Sequence, residues 1–213
     1  MVSRTKIAVI TPSLGNGGAE RVSSLLSIFL TDLGYDVTIF AAYPNQDFSF
    51  KGTYVYLGHS KKNSFPYFSL LGSFVKLFKS IKKENFDFII DFRSRRIFWI
   101  EIIFHLFIYT FVKRIILTVH LPLIDKYVPK PWYIFRILYK RVYALVSVSD
   151  AISDILKSLG YVNQVVIKNA VDFERIKGLG KESLIINYPF VVAAGRMDDN
   201  IKRFDHVIKT YVN

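Results

Sequence analysis

Ile7-Ala8-Val9-Ile10, followed by Ser13-Leu14-Gly15-Asn16-Gly17-Gly18-Ala19-Glu20-Arg21, is the stretch on which the fold turns. The apolar run is short and rich in β-branched residues, which predicts a buried parallel strand. Beyond the glycines, Val22, Leu25, Leu26, Phe29, Leu30 and Leu33 repeat at i, i+3, i+4, i+7 and predict an amphipathic helix. Gly34 sits where a left-handed C′ glycine would end it. The glycines therefore fill a strand-to-helix turn, with the helix N-terminus facing whatever lies above the strand.

Such a turn has a chemical use. Glycines let a ligand approach the main chain, and unpaired helix N–H groups with the macrodipole favour an anion. A tight turn that binds nothing has the same composition, so both readings stand on glycine content alone. Dinucleotide binding is excluded. It needs a third glycine where Glu20 stands, and a carboxylate closing the second strand, Val37-Thr38-Ile39-Phe40, which instead runs into Ala41-Ala42-Tyr43. A Walker lysine is also missing.

At 213 residues the chain fits one large domain, or one domain and part of another. Its 51% apolar content supports a sizeable core, and 22% charged residues argue against disorder. Cysteine is absent, which excludes disulfides and thiolate metal sites. Arg4 and Lys6 precede only a short apolar run before Pro12, so no signal peptide is expected. The net charge of +12 is concentrated: between Phe92 and Ser149 ten Lys or Arg face two carboxylates, Glu101 and Asp125, among thirteen aromatic residues. A segment of that kind suits nucleic acid, an anionic membrane surface or acidic substrates.

Strands and helices alternate along the chain. Strands are expected at Thr53–Leu57, Phe86–Asp91, Arg114–Val119, Ala144–Val148 and Gln164–Lys168, and helices at Tyr67–Lys83 and Asp150–Leu159. Asp150 is the expected N-cap of the latter helix and Gly160 its stop. Asn45–Lys51 and His59–Pro66 read as loops. The rhythm predicts an α/β fold with a doubly wound parallel sheet, whose ligands collect beyond the strand C-termini. Ile97–Val112 is apolar over sixteen residues but interrupted by Glu101 and His105, an i, i+4 pair that can bond on one face. A spanning helix needs roughly 20 apolar residues, so this one is expected to cover the sheet. Two ligands are too few for a metal site.

Near Lys168-Asn169-Ala170-Val171-Asp172 the alternation pauses, and 175–187 is polar and glycine-containing. The expected organisation is a first Rossmann-like domain over 1–175, a linker over 176–187 and the start of a second α/β domain over 188–213. That start comprises a strand at Phe190–Ala194, a loop from Gly195 to Asn200 and a helix over Ile201–Val212. One strand and one helix cannot bury their own apolar faces, so the rest of that domain is expected to lie outside these residues.

Gly-Gly-Ala-Glu-Arg-Val (17–22), Leu-Thr-Val-His (117–120), Val-Ser-Val-Ser (146–149), Asn-Ala-Val-Asp (169–172) and Ala-Gly-Arg (194–196) with Lys202 follow one another in a telling order. In that order the chain resembles family-4-type glycosyltransferases of the GT-B fold. The likeness spans the whole N-terminal, acceptor-side domain and the first strand and helix of the C-terminal, nucleotide-sugar domain. A Glu-x7-Glu donor motif found in the family has no counterpart here. Ala170 replaces a more common glycine, and Arg203 follows Lys202 where glycine is usual.

The resemblance implies roles for particular residues. Gly17 and Gly18 would approach the donor diphosphate, and His120 would hydrogen-bond the donor sugar or position the acceptor. Arg196 and Lys202 would neutralise the leaving diphosphate, so His120, Arg196 and Lys202 are the catalytic candidates. Fixed cations and a helix N-terminus suit that task, because cleaving the anomeric bond develops negative charge on the nucleotide. Glu20 and Arg21 either touch acceptor or cap and solvate the first helix. Asn169 and Asp172 are expected to hold the interdomain crossover.

The expected activity is transfer of a sugar from a nucleotide-sugar to a saccharide or lipid-linked acceptor. It would retain anomeric configuration and serve cell-surface polysaccharide or glycolipid synthesis. No metal or other cofactor is expected. The expected location is the cytoplasm, with peripheral contact at the inner face of an anionic membrane. A nucleic-acid-reading motif is missing, so no nucleic acid is expected as partner. The alternative is a non-catalytic acceptor- or partner-binding module.

Overall fold

The computed structural model describes residues 4–15, 17–59, 66–181, 188–195 and 203–212. The chain forms two compact units, Met1–Val171 and Asp172–Asn213. The first unit is built on seven strands: β1 (Lys6–Thr11), β2 (Asp36–Ala41), β3 (Thr53–Tyr56), β4 (Phe88–Asp91), β5 (Arg114–Val119), β6 (Ala144–Ser147) and β7 (Gln164–Val166). All pair in parallel, in the order β3-β2-β1-β4-β5-β6-β7. This is the expected α/β doubly wound sheet. Strand order reverses between β1 and β4, where Ile10 lies opposite Asp91, so the crevice of the fold opens beyond these two C-termini.

Alternation along the strands sorts the core onto two faces. From β1, Ala8 and Ile10 join a large cluster with Ile89, Leu117, Phe135 and Leu156. Ile7 and Val9 join a smaller cluster with Val37, Ile39 and Ile90. Helix α1 (Gly18–Asp32) packs against the smaller cluster through Val22, Leu26 and Leu30. Helices α2 (Pro66–Glu84), α3 (Phe98–Phe107), α4 (Trp132–Tyr139) and α5 (Asp150–Ser158) bring residues to the larger one.

Several local details depart from expectation. The fully buried face of α1 is Ser23, Ser24 and Ser27, while Phe29 and Leu33 of the expected stripe are 46% and 73% exposed. Small side chains let the helix approach closely, and the Ser23, Ser24 and Ser27 hydroxyls are satisfied by the carbonyls of Glu20, Ser49 and Ser24. Ser149, rather than Asp150, caps α5: it is extended, and its side chain accepts from the Ile152 amide. Gly34 and Gly160 do adopt the left-handed conformation after α1 and α5, at φ +89° and +81°. The apolar stretch from Ile97 gives a ten-residue α3 and a 3-10 turn at Tyr109–Phe111. Among the described residues no helix is long and apolar enough to cross a membrane. Helix α4, with Phe135 and Tyr139 buried, has no counterpart in the expected elements.

The second unit contains helices α6 (Phe173–Leu179) and α7 (Phe204–Val212). The polar stretch expected as a linker thus begins inside a helix, and 182–187 lie outside the described residues. Phe190–Ala194, expected as a strand, is exposed and forms none. A lone extended segment has no ladder partner for its backbone groups, so composition alone does not make it a strand. Arg203, at the position where the resemblance has glycine, takes φ +47° ahead of α7, a conformation that strains a side chain with a Cβ.

Candidate functional site

Each glycine of the 13–18 turn has its own reason to be small. A Cβ on Gly15 would overlap the Asp47 carboxylate, because this turn packs against the 45–48 loop through hydrogen bonds from Leu14 N to Asn45 O and from Phe48 N to Leu14 O, both 2.9 Å. Inside the turn Thr11 Oγ1 donates to Ser13 O and Ser13 Oγ to Gly15 O, each at 3.0 Å. Gly17 is the extended N-cap of α1, with φ −157° and ψ 161°, so its backbone does not require glycine. A Cβ there would instead meet the Glu20 carboxylate, which folds back over the turn. Gly18, the first helical residue, is exposed, and a Cβ on it would meet nothing within 4 Å. The start of α1 is thus exposed at Gly18, and an exposed helix N-terminus favours an anion.

His120 follows β5 directly and stacks on Phe92, the residue after β4, with centroids 5.3 Å apart and planes inclined by 27°. Both ring nitrogens are buried without a hydrogen-bond partner among the described residues. Burial, then the nearby Arg95 charge, push the imidazole down to about 4, so it is neutral at physiological pH. A neutral imidazole offers one donor and one acceptor. Burial raises the Tyr127 hydroxyl above its ordinary range, against the pull of the nearby Arg95 charge. Nearby in the sheet order, Ser147 Oγ at the end of β6 is likewise buried without a described partner.

Beneath this edge lies a buried ionic network. Asp91, fully buried at the end of β4, accepts from the Arg93 amide at 2.8 Å, from Arg93 Nη2 at 2.7 Å and from the Tyr109 hydroxyl at 2.5 Å. Arg93 Nη2 also reaches Glu101 Oε2 at 3.4 Å, and its guanidinium carbon lies 3.3 Å from the Phe104 ring centroid. The Tyr139 hydroxyl donates to Glu101 Oε1 at 3.0 Å. Arg95, 2% exposed, donates to the carbonyls of Tyr127 at 3.0 Å and Thr118 at 2.9 Å. It thereby fixes the strand end that carries His120.

Two cations balance two carboxylates in this network, as burial of charge requires. Burial alone would raise Asp91, but Arg93, Arg95 and its hydrogen bonds outweigh it and hold the carboxyl below its ordinary range. For Glu101 burial wins over the same two arginines, and its pKa is raised. His105 Nε2 stands 3.7 Å from Glu101 Oε1, too far for a hydrogen bond, and burial with the two arginines pushes this histidine down to about 4. The expected i, i+4 pairing is therefore a near contact without proton sharing.

Gly17, Gly18, Glu20 and His120 thus all lie at the C-terminal edge of the sheet, and Arg21 is exposed on the first turn of α1. Arg196 and Lys202 lie outside the described residues. Sequence reasoning missed the roles of Phe92, Arg93, Arg95 and Tyr127. A signal for two of them was present: Asp91-Phe92-Arg93-Ser94-Arg95 sets two cations just after a carboxylate that ends an apolar strand. Among the described residues no group of three or more His, Cys, Asp or Glu side chains could hold a metal ion.

Comparison with solved structures shows the same fold. A glycosyltransferase from Rickettsia africae superposes with TM-score 0.52 at 20% identity, over 87% of this chain and 51% of the other. An alpha-glucosyltransferase solved with UDP and a 13-mer DNA containing an HMU base gives 0.53 at 14% identity, over 83% of this chain and 45% of the other. The chain thus spans about half the length of these neighbours. No curated protein is similar enough in sequence to match. Residues 16–175, from the glycine turn to α6, match the sequence profile of Glycosyltransferase Family 4. The chain belongs to that family.

Proposed function

We propose that this chain supplies the acceptor-side half of a nucleotide-sugar-dependent glycosyltransferase. A sugar passes from the donor to a saccharide or lipid-linked acceptor with retention of configuration, in the synthesis of cell-surface polysaccharide or glycolipid. The observation that carries the reading is His120, a neutral imidazole whose two nitrogens have no partner among the described residues, at the sheet edge shared with the exposed first residue of α1. Empty hydrogen-bonding capacity at that edge suits a polyhydroxyl ligand, and an open helix N-terminus suits a diphosphate.

In this reading the Gly17–Gly18 amides face the donor diphosphate, and His120 orients the transferred sugar. Glu20 and Arg21 face the acceptor, and Arg196 with Lys202 stabilises the charge that develops on the departing nucleotide. The protein's task is orientation and charge stabilisation, for which no metal or cofactor is invoked. The DNA in the neighbouring structure belongs to that enzyme, and no nucleic acid is proposed as partner here.

A screen of nucleotide-sugars, in the context of the full reading frame, tests the proposal by release of nucleoside diphosphate in the presence of acceptor. Turnover that falls about a hundredfold in His120→Ala is expected, in line with loss of one aligned polar contact. Turnover unchanged in both His120→Ala and Arg196→Ala removes these assignments.

We further propose a cytoplasmic enzyme resting on an anionic membrane face; with Arg93 and Arg95 held in the internal network, exposed cations of the 92–149 segment such as Arg96, Lys113, Arg114, Arg136, Lys140 and Arg141 support the membrane contact. Co-sedimentation with anionic vesicles above that with neutral ones, lost at high salt, is the expected result. Equal recovery with both at low salt counts against it.

A further inference from the structure

A helix on the surface of a soluble domain turns its charged residues outward and its apolar stripe inward. Helix α3 does the reverse. Its two ionisable side chains face the interior: Glu101 is 1% exposed and receives the Tyr139 hydroxyl at 3.0 Å, and the His105 side chain is 10% exposed. The exterior of α3 and of the 3-10 turn that follows it is made by Ile97, Trp99, Ile103, Leu106, Phe107 and Phe111, which are 40% to 70% exposed. Among the described residues of this span, Thr110 is the one exposed polar side chain, and its hydroxyl turns back to the Leu106 carbonyl at 2.9 Å.

The apolar surface is continuous. Phe107 and Phe111 both meet Phe78 of α2, with ring centroids 6.3 and 5.6 Å away. Leu71 of α2, itself 59% exposed, lines one hollow between the two helices together with Ile103 and Phe107. A contiguous apolar exterior of this kind marks an interaction surface.

The rim decides the occupant. Arg96 is exposed just before α3, Lys113 is exposed just after the 3-10 turn, and Lys82 lies 5.9 Å from the Phe111 ring. Glu101 is the one carboxylate between Arg96 and Lys113, and it is internal. Glu84, the one acidic residue of α2, is paired with Lys6 at 3.1 Å. Two copies of this face brought together would set cation against cation, so the face does not complement itself. A bilayer with anionic head groups offers hydrocarbon to the apolar strip and negative charge to its ends, within reach of lysine and arginine stems. Trp99 carries the amphipathic ring that such a boundary favours. With ten residues, α3 is ~15 Å long, so it lies along the boundary without crossing it.

We propose that the outer face of α3 and of the Tyr109–Phe111 turn inserts below the head groups of an anionic bilayer, as an anchor lying in the membrane plane. The proposal rests on the membrane contact put forward above and takes it from attraction by charge to entry of named side chains into hydrocarbon.

Trp99 reports the depth directly. The full chain is mixed with vesicles of phosphatidylglycerol and phosphatidylcholine whose acyl chains carry bromine either near the head group or near the terminal methyl. Trp99 emission should shift to the blue and be quenched, more strongly by the shallow bromines. The change should vanish in Trp99→Phe, where Trp132 remains. Leu106→Glu, at a position 60% exposed, should weaken vesicle binding at least about tenfold without changing thermal unfolding, whereas Leu106→Met should keep wild-type affinity. Co-sedimentation with neither blue shift nor quenching overturns insertion and leaves the contact by charge standing. Absence of co-sedimentation removes both. Concentration-dependent dimers formed without lipid and abolished by Leu106→Glu overturn the proposal as well, and give the face to a second copy of the chain. No donor or acceptor enters these measurements, so failure of the transferase reading leaves them unaffected.

Discussion

The imidazole of His120 lies on the ring of Phe92, 5.3 Å between centroids and 27° from parallel, with neither nitrogen bonded among the described residues. The stack fixes the plane of the imidazole while leaving its polar edge uncommitted. Position and chemistry are thereby separated: the phenyl ring orients, and the imidazole is free to bind.

His120→Ala should therefore cost far more activity than stability. Loss of one aromatic pair is about 0.5–1.5 kcal/mol, while turnover should fall about a hundredfold. Because His120 titrates at about 4, the rate profile of the wild type should show no limb from this residue between pH 6 and pH 8. Urea melts and a pH–rate series check both statements, and a limb near 6.5 that disappears in the variant would contradict the neutral imidazole.

Gly18→Ala should fold at least as well as the wild type. The added methyl meets nothing within 4 Å, and alanine is the better helix former by up to about 1 kcal/mol. Under the proposed function the same methyl enters the space given to the donor diphosphate, so donor KM should rise about tenfold or more. A variant with unchanged KM would place the diphosphate elsewhere.

Asp91→Asn should destabilise by about 3–5 kcal/mol, because among the described residues Arg93 and Arg95 are then left buried with Glu101 as the remaining carboxylate of the network. Tyr109 and Arg93 would both lose their short bonds to Asp91. A denaturant midpoint within experimental error of the wild type would mean that this network contributes no net stability.

Stability should decline in mild acid. His105 and His120 have folded values of about 4 against about 6.5 unfolded. A depressed value gives stability that is present above 6.5 and lost as pH falls toward 4, by up to about 3 kcal/mol for each histidine. Asp91, also depressed, adds a further loss at lower pH. Glu101 acts in the opposite sense: its raised value favours the fold in acid, and that contribution is lost as pH rises through it. The histidines should dominate between pH 6.5 and pH 4. Unfolding at pH 7 and pH 4.5 should then differ less in a His105→Gln, His120→Gln double variant, and an identical difference would rule the histidines out.

Ser149→Ala should cost about 0.5–2 kcal/mol, since it removes the side-chain acceptor of the Ile152 amide at the start of α5. Asp150→Ala, one residue on, should cost less. Thermal unfolding of the two variants decides which residue caps the helix.

Local chemistry and residue period carry one part of this fold unaided. Ile7–Ile10, the glycine turn and Gly34 spell a strand, a turn and a helix stop, and repetition of that grammar through β5 and α5 dictates the parallel sheet. His120 entered as a candidate through the Leu-Thr-Val-His stretch of the family resemblance, since a histidine ending an apolar strand can equally be a polar cap on the sheet. Whatever depends on neighbours distant in the chain came only with the folded packing. It buried the serines of α1 in place of Phe29 and Leu33, since closeness of helix to sheet is a property of the pair. It left Phe190–Ala194 outside any sheet, because a strand exists only with a partner. It joined Asp91, Arg93, Arg95, Glu101, Tyr109 and Tyr139 into one network, since charges survive burial only where the fold brings their counterparts. And it opened an apolar cavity between α2 and α3, which neither helix's sequence marks.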